Sequence, residues 1–218
     1  MKTALVIGAT GLVGSELVSL LLADDRFEKV VVFVRRSTGR PHAKLEEHLV
    51  NFDAIDTWKP LLTGDVLFST LGTTLKQAGS KDAQYKIDFT YQYEVAKAAA
   101  ENGVKQYVLI SSAGASPQSR IFYSRMKGEL EQAVKQLSFS HIHILQPGIL
   151  QGDRKESRPG EGIGLAIASA LRFIPGLKKY RPVPAKTVAQ AMINAAFRQQ
   201  QKKETWTLEG VFGLAQAL

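Results

Sequence analysis

Tyr123 and Lys127 stand four residues apart in Phe122-Tyr123-Ser124-Arg125-Met126-Lys127. At that spacing two side chains share one face of a helix. An ammonium beside a phenol favours the ionised ring oxygen, so the pair suits a group that gives and takes a proton. Upstream, Ser111-Ser112 ends an apolar run, Val104 to Ile110. A hydroxyl there can hydrogen-bond a carbonyl or alcohol oxygen brought to the phenol. Side chains alternate along a strand, so only one of the two serines faces the same side as Tyr123. Ser112 is the expected partner and Ser111 its competitor.

A second constellation lies at the N-terminus. Gly8, Gly11 and Gly14 recur at intervals of three in Gly8-Ala9-Thr10-Gly11-Leu12-Val13-Gly14. Before them runs Ala4 to Ile7, an apolar strand, and after them Val13, Leu17, Leu20 and Leu21 recur at helical intervals. Strand, glycine turn and helix form the context of a dinucleotide-binding fingerprint. Gly8 suits the tight turn, Gly11 the approach of backbone to a pyrophosphate, and Gly14 the closure of helix on strand. The pyrophosphate then rests on the open N–H groups of the helix start. About twenty residues further on, where an acid holding the adenosine ribose is usual, the chain has Arg35-Arg36 and no acid nearby. An acid repels a 2′-phosphate, whereas a guanidinium fork grips it. The cofactor expected is NADP(H), with Lys127 also holding its nicotinamide ribose.

The elements needed to position these residues can be read from the pattern. Strands are expected over 4–7, 29–34, 48–52, 65–70, 104–110 and 141–145, with a short one over 206–208. Helices are expected after Gly11 and over 82–102, 122–137, 163–173 and 185–199, with a short irregular one over 53–62 and another at the C-terminus. Strands and helices alternate, and the strands end in glycine or small polar residues. The fold class is therefore α/β, a doubly wound Rossmann-type parallel sheet whose ligand edge gathers Gly8, Arg35, Gly72, Ser112 and Gly148. Tyr85, Phe89, Tyr93 and Ala96 share one face of the long helix, and Val188, Ala191, Met192 and Ala195 one face of a later helix. The loop over 153–164 is polar and glycine-rich, and the stretch over 177–184 is basic and bounded by proline.

The chain has 218 residues, is 44% hydrophobic and carries a formal charge of +8. That length suits one core. We expect a single domain over 1–218, with residues 1–153 as the dinucleotide-binding core and 154–218 as a small substrate-side lobe with C-terminal helices. No apolar run has the length of a membrane span, no signal peptide is expected, and there is no cysteine. These features lead to the expectation of a cytoplasmic address. His141 and His143 alternate on one strand face without a third ligand, so no metal site is expected. The basic residues of the C-terminal third lie in several separate segments without interleaved aromatics, so no nucleic-acid partner is expected.

The glycine motif, Leu71-Gly72-Thr73, Ser111-Ser112, Tyr123 with Lys127, and Gln146-Pro147-Gly148 together resemble the atypical and extended short-chain dehydrogenase/reductases. The likeness is strongest to the small Tat-interacting-protein-type oxidoreductases and their bacterial relatives. It covers residues 1–153 well and the remainder loosely. It implies a catalytic set of Ser112, Tyr123 and Lys127. It also implies cofactor contacts from Gly8, Thr10, Gly11, Leu12, Val13, Arg35, Arg36, Phe52, Asp53, Leu71, Gly72, Thr73, Ser111, Tyr123, Lys127, Pro147, Gly148 and Ile149. Among these, Phe52-Asp53 flanks the adenine, and the Leu71-Gly72-Thr73 turn meets the ribose. One departure is Gln146, where many relatives carry arginine before Pro-Gly.

The expected activity is NADP(H)-dependent hydride transfer to or from a small carbonyl or alcohol. A regulatory NADP(H) sensor with little turnover and a nucleotide-sugar epimerase or dehydratase are the alternatives. Aldehyde oxidation through a thioester is excluded, because it requires a nucleophilic cysteine. The substrate, the direction of reaction and the oligomeric state are left open at this stage.

Overall fold

A computed structural model describes residues 1–152, 181–198 and 200–217. The expected loop over 153–164 and helix over 163–173 therefore fall outside the described residues, as does the basic stretch over 177–184 except for its end at 181–184. The chain opens with β1 (Lys2–Ile7), α1 (Leu12–Ala23), β2 (Phe27–Val34) and β3 (Leu45–Leu49). Two 3-10 turns, Phe52–Thr57 and Lys59–Leu61, lead to β4 (Val66–Ser69). Next come α2 (Leu75–Ala78), α3 (Lys81–Tyr85), a π-turn (Lys86–Thr90) and α4 (Tyr91–Glu101). β5 (Gln106–Ile110), α5 (Phe122–Val134), β6 (His141–Gln146) and β7 (Leu150–Gln151) follow. The described C-terminal part holds β8 (Val183–Pro184), α6 (Ala185–Ala195), β9 (Lys203–Thr207) and α7 (Glu209–Ala215).

Seven strands form one sheet in the order β3-β2-β1-β4-β5-β6-β9, with every pair parallel. A strand buried on both faces needs side chains that tolerate burial at every position, and the near-continuous apolar runs of β1, β2 and β5 meet that need. After β1 the chain runs outward to β3 and then returns to place β4 on the other side of β1. That reversal opens a crevice beyond the carboxyl ends of β1 and β4, the usual ligand position in such sheets. One face is covered by α1, α6 and α7, where Val13, Leu17 and Leu21 meet Val188, Ala191 and Met192. The other is covered by α4, α5 and the turns around Trp58. The Rossmann-like α/β fold is thus as the sequence implied.

Three elements differ from expectation. The third strand lies at 45–49, not 48–52, because Glu46 and Glu47 hide a strand that is only half-buried. Glu46 pairs there with Lys29 at 2.6 Å and His48 at 2.7 Å. The helix expected over 82–102 is interrupted by the π-turn at residues 86–90. The C-terminal strand starts three residues early, at Lys203, and extends the main sheet beside β6. The described residues of the stretch 154–218 are largely built into the main sandwich: α6 lies on α1, α7 on α6, and β9 on β6.

His143 is fully buried on β6, and its Nδ1 lies 3.4 Å from Glu204 Oε2 on β9. Arg198, just beyond α6, approaches the same carboxylate at 3.8 Å. Burial lowers the His143 pKa to about 4, against a backbone hydrogen bond with Arg198 that acts in the opposite direction.

Candidate functional site

The glycine corner is shaped by close approach. Gly8 has φ +81°, and a Cβ on it would stand 2.5 Å from Leu71 N and from Thr70 C. A Cβ on Gly14 would collide with Gly8 O and lie 2.6 Å from Thr70 Oγ1. These two glycines therefore let α1 and the turn after β4 close onto the end of β1. Gly11 caps α1, and its N–H donates to Gly8 O at 2.9 Å. The N–H groups of Leu12 and Val13, at the start of α1, have no partner within the helix, as at any helix start. Thr10 is exposed beside them.

Arg35 and Arg36 are both exposed directly after β2, and neither makes a side-chain hydrogen bond or ion pair among the described residues. A further guanidinium, Arg40, lies in the loop between β2 and β3. Its Nη1 donates to Ser19 Oγ at 2.8 Å and to Ser15 O at 3.2 Å, fastening this loop along α1. Phe52 is buried among Trp58 and Tyr91. The Asp53 carboxylate accepts from Tyr91 Oη at 2.7 Å and pairs with Lys86 at 2.6 Å, and these contacts hold it below the usual carboxylate range.

The residues expected to handle a proton come from different elements. Tyr123 and Lys127 occupy the first two turns of α5, with Lys127 Nζ 5.8 Å from the Tyr123 ring centre. Tyr123 is 38% exposed, whereas Lys127 is buried. Lys127 Nζ pairs with Asp88 Oδ1 at 2.8 Å, and both side chains are nearly inaccessible, 4% and 1%. Burial by itself pushes the Lys127 pKa down, but Tyr123 and Asp88 outweigh it and the net direction is upward. The other Asp88 oxygen accepts the Thr73 N–H at 2.8 Å, and Gln84 Nε2 donates to Thr73 O at 3.3 Å. The Leu71-Gly72-Thr73 turn is thereby fixed from the side of the π-turn.

The two serines have different surroundings. Ser111 Oγ is buried and donates to Glu131 Oε1 at 2.5 Å. Gln146 Nε2 donates to both Glu131 oxygens, at 2.8 and 3.0 Å. Ser111 is thus committed to a carboxylate inside the protein. Ser112 is half-buried, and among the described residues its Oγ has only a 3.5 Å contact with Ala113 O. The Ala113 N–H donates to Pro147 O at 2.9 Å, which brings the Ser112 stretch against the Gln146-Pro147-Gly148 turn. Ile149 is exposed after that turn, and Leu208, with φ +43°, lies 3.5 Å from the Cβ position of Gly148.

Asp88 and Glu131 were not anticipated. The available signal was Asp88 and Gln92, two polar residues four apart within a helical stretch otherwise rich in aromatics and alanine. For Glu131 it was the series Tyr123, Lys127, Glu131 at steps of four. The residues fit a dinucleotide: two glycines where an added Cβ would meet backbone, a helix start without a side-chain cap, and two exposed arginines after β2 that have no partner among the described residues.

Comparison with known proteins agrees with this geometry. The family model described as NAD(P)H-binding matches residues 8–199. Protein fmp52-1, mitochondrial, of Aspergillus terreus is 38% identical over 224 residues, covering 96% of each chain. Protein FMP52, mitochondrial, of Candida glabrata is 38% identical, covering 92% of this chain and 88% of its own. These names overturn the cytoplasmic expectation, which had rested only on missing cysteines and missing apolar segments. Among solved structures, the UDP-Glc/GlcNAc 4-epimerase of Campylobacter jejuni superposes with a TM-score of 0.73 at 12% identity, covering 98% of this chain and 82% of that one. The Bordetella bronchiseptica enzyme WbmH, solved with NAD+, gives 0.70 at 20% identity, covering 95% and 75%. At these identities the likeness shows the fold alone. The chain has a Rossmann-type fold and belongs to the NAD(P)H-binding family, and the Fmp52 proteins are its relatives.

Proposed function

We propose that the protein is an NADP(H)-dependent oxidoreductase acting on a small carbonyl or alcohol. The observation that supports this reading is the contact of Lys127 with Asp88 and of Asp88 with the Thr73 N–H, which ties the helix of Tyr123 and Lys127 to the turn that closes on the glycine corner. When bound, the nicotinamide supplies or accepts a hydride, and the protein sets its position. Ser112 orients the substrate oxygen by a hydrogen bond. Tyr123, the more exposed of the helix pair, passes a proton to or from that oxygen. Lys127, buried behind it, stabilises the ring oxygen's charge and directs its remaining N–H groups toward the ribose. Arg35 and Arg36 take the 2′-phosphate, which favours NADP(H) over NAD(H). Phe52 and Asp53 flank the adenine, and Leu71, Gly72, Thr73, Pro147, Gly148 and Ile149 line the path of the ribose and nicotinamide.

The test is Tyr123→Phe, which keeps the ring and removes its transferable proton. With a carbonyl panel and NADPH, turnover is expected to fall by roughly 10²–10⁴ while NADPH affinity stays within about twofold of the wild type. Full turnover in the variant would remove Tyr123 from the reaction.

A further inference from the structure

The side chains of Arg35 and Arg36 are exposed, but the backbone that follows them is fastened at both ends. One fastening comes from β3. Leu45 packs against the core beneath α1, and Glu47, two residues on, shares that face of the strand. Glu47 Oε2 accepts the Thr38 N–H at 2.7 Å. Desolvation pushes the Glu47 pKa up, yet hydrogen bonds from Ser37 and Thr38 outweigh it and the net direction is down. The carboxylate is thus charged and turned onto the loop. Beyond it the chain folds back on its own hydroxyls. The Gly39 N–H donates to Ser37 Oγ at 3.1 Å and the Arg40 N–H to Thr38 Oγ1 at 3.4 Å, with Gly39 at φ +67°. The second fastening is Arg40, whose Nη1 ends the turn on Ser15 O and Ser19 Oγ of α1.

An acid left free beyond β2 would hold ribose hydroxyls and repel a 2′-phosphate. The strand order brings one there in space, from β3, although none stands beside Arg35 and Arg36 in sequence. Its charge alone opposes a phosphate, whereas its hydrogen bonds shape the segment that carries the arginines. We propose that Glu47 is a positioning residue for cofactor choice: by clasping Ser37 and Thr38 it sets the backbone from which Arg35 and Arg36 reach the 2′-phosphate, and its net effect favours NADP(H). The proposal rests on the reading of those two arginines as the phosphate grip. Long side chains lose rotamer freedom when they are placed on a ligand. With the backbone already set, only the side chains are ordered on binding. Without the clasp, the ordering of a loop that contains a glycine is subtracted from the affinity as well. The loss falls on NADP(H) alone, because NAD(H) has no phosphate for this loop to grip.

The experiment titrates the full chain with NADPH and with NADH, using cofactor fluorescence as the binding readout. Glu47→Ala removes the acceptor of the Thr38 N–H. It is expected to weaken NADPH about tenfold, the equivalent of one charge-assisted bond out of place, and to leave NADH within about twofold. In a chain that already carries Arg35→Ala and Arg36→Ala, the same change is expected to leave NADPH affinity where it was, because the three residues act through one phosphate. Equal weakening of both cofactors would make Glu47 a part of the fold only and overturns the proposal. A ratio of NADPH to NADH affinity that stays the same or rises in Glu47→Ala also overturns it, a rise meaning that the carboxylate acts by repulsion. In either case the phosphate reading survives if the two arginine changes still erase the preference. If the unaltered protein binds the two cofactors equally, both readings fall. Should Glu47→Ala fail to fold, Glu47→Leu keeps the bulk of the side chain without its oxygens and is judged by the same ratio.

Discussion

The two ends of the candidate site are held in place by different physics. At the glycine corner, position is set by backbone contact: β1, α1 and the turn after β4 meet where no Cβ fits at Gly8 or Gly14. At the α5 end, position is set by buried charges and amides, with Lys127 on Asp88 and Ser111 and Gln146 on Glu131. The first arrangement fails by steric overlap and takes the local fold with it. The second fails by stranding a charge in a dry interior, and its damage can be relieved by removing the partner as well. The outer end, at Arg35 and Arg36, has neither constraint and is open to solvent.

The sharpest way to break this contrast is Gly8→Ala. The methyl group would meet backbone atoms at 2.5 Å in a conformation with φ +81°, which a side chain rarely adopts. We expect a loss of about 3 kcal/mol or more in chemical denaturation, with no single second-site change restoring it. Lys127→Met comes next. It leaves Asp88 buried without its cation, an arrangement that costs about 3–5 kcal/mol, and Asp88→Asn in the same chain should recover most of that. Retention of wild-type stability by the single variant would mean that the pair is not the determinant of this end.

A third test leaves the site for the opposite edge of the sheet. Burial holds His143 neutral, its pKa lowered to about 4 from the ordinary value of 6.5. Below the unfolded value the unfolded chain binds the extra proton and the native one does not, so stability is full above about pH 6.5 and declines as pH falls toward 4. The loss is on the order of 3 kcal/mol. His143→Asn should flatten that part of the pH–stability curve if Glu204, Arg198 and His141 keep their own charge states. An unchanged slope would assign it to other groups. The smallest effect on the fold is expected from Arg35→Ala with Arg36→Ala. Stability should stay within about 0.5 kcal/mol, while NADPH affinity falls on the order of a hundredfold and NADH affinity hardly changes. Equal affinity of the unaltered protein for the two cofactors would sink the phosphate assignment.

How much of this was legible in the sequence depends on how far apart the cooperating residues lie. Gly8, Gly11 and Gly14 fall within one strand–turn–helix, so their spacing alone announced the corner. The spacing of Tyr123 and Lys127 did the same for α5. β3 was misplaced because Glu46, Glu47 and His48 find partners at a half-open edge, and such residues do not read as strand from propensity. The π-turn left no mark in a helix whose aromatic face continues on both sides of it. Asp88 to Lys127 and Glu131 to Ser111 are contacts between different elements, and no local pattern reports them. The choice between the serines, open in the sequence, narrows once Ser111 is found on Glu131.

The order of strands also bears on how this chain is made. The outer face of α1, with Val13, Leu17 and Leu21, is covered by α6, whose residues follow some 170 positions later, as the spans Leu12–Ala23 and Ala185–Ala195 record. β6 likewise waits for β9. During synthesis the first helix therefore emerges with an apolar stripe that nothing yet covers, and the sheet stays open at an edge until the last strand arrives. Long-range parallel pairing of this kind folds slowly and is exposed to aggregation meanwhile. The early half of the chain is the part that a chaperone would need to hold.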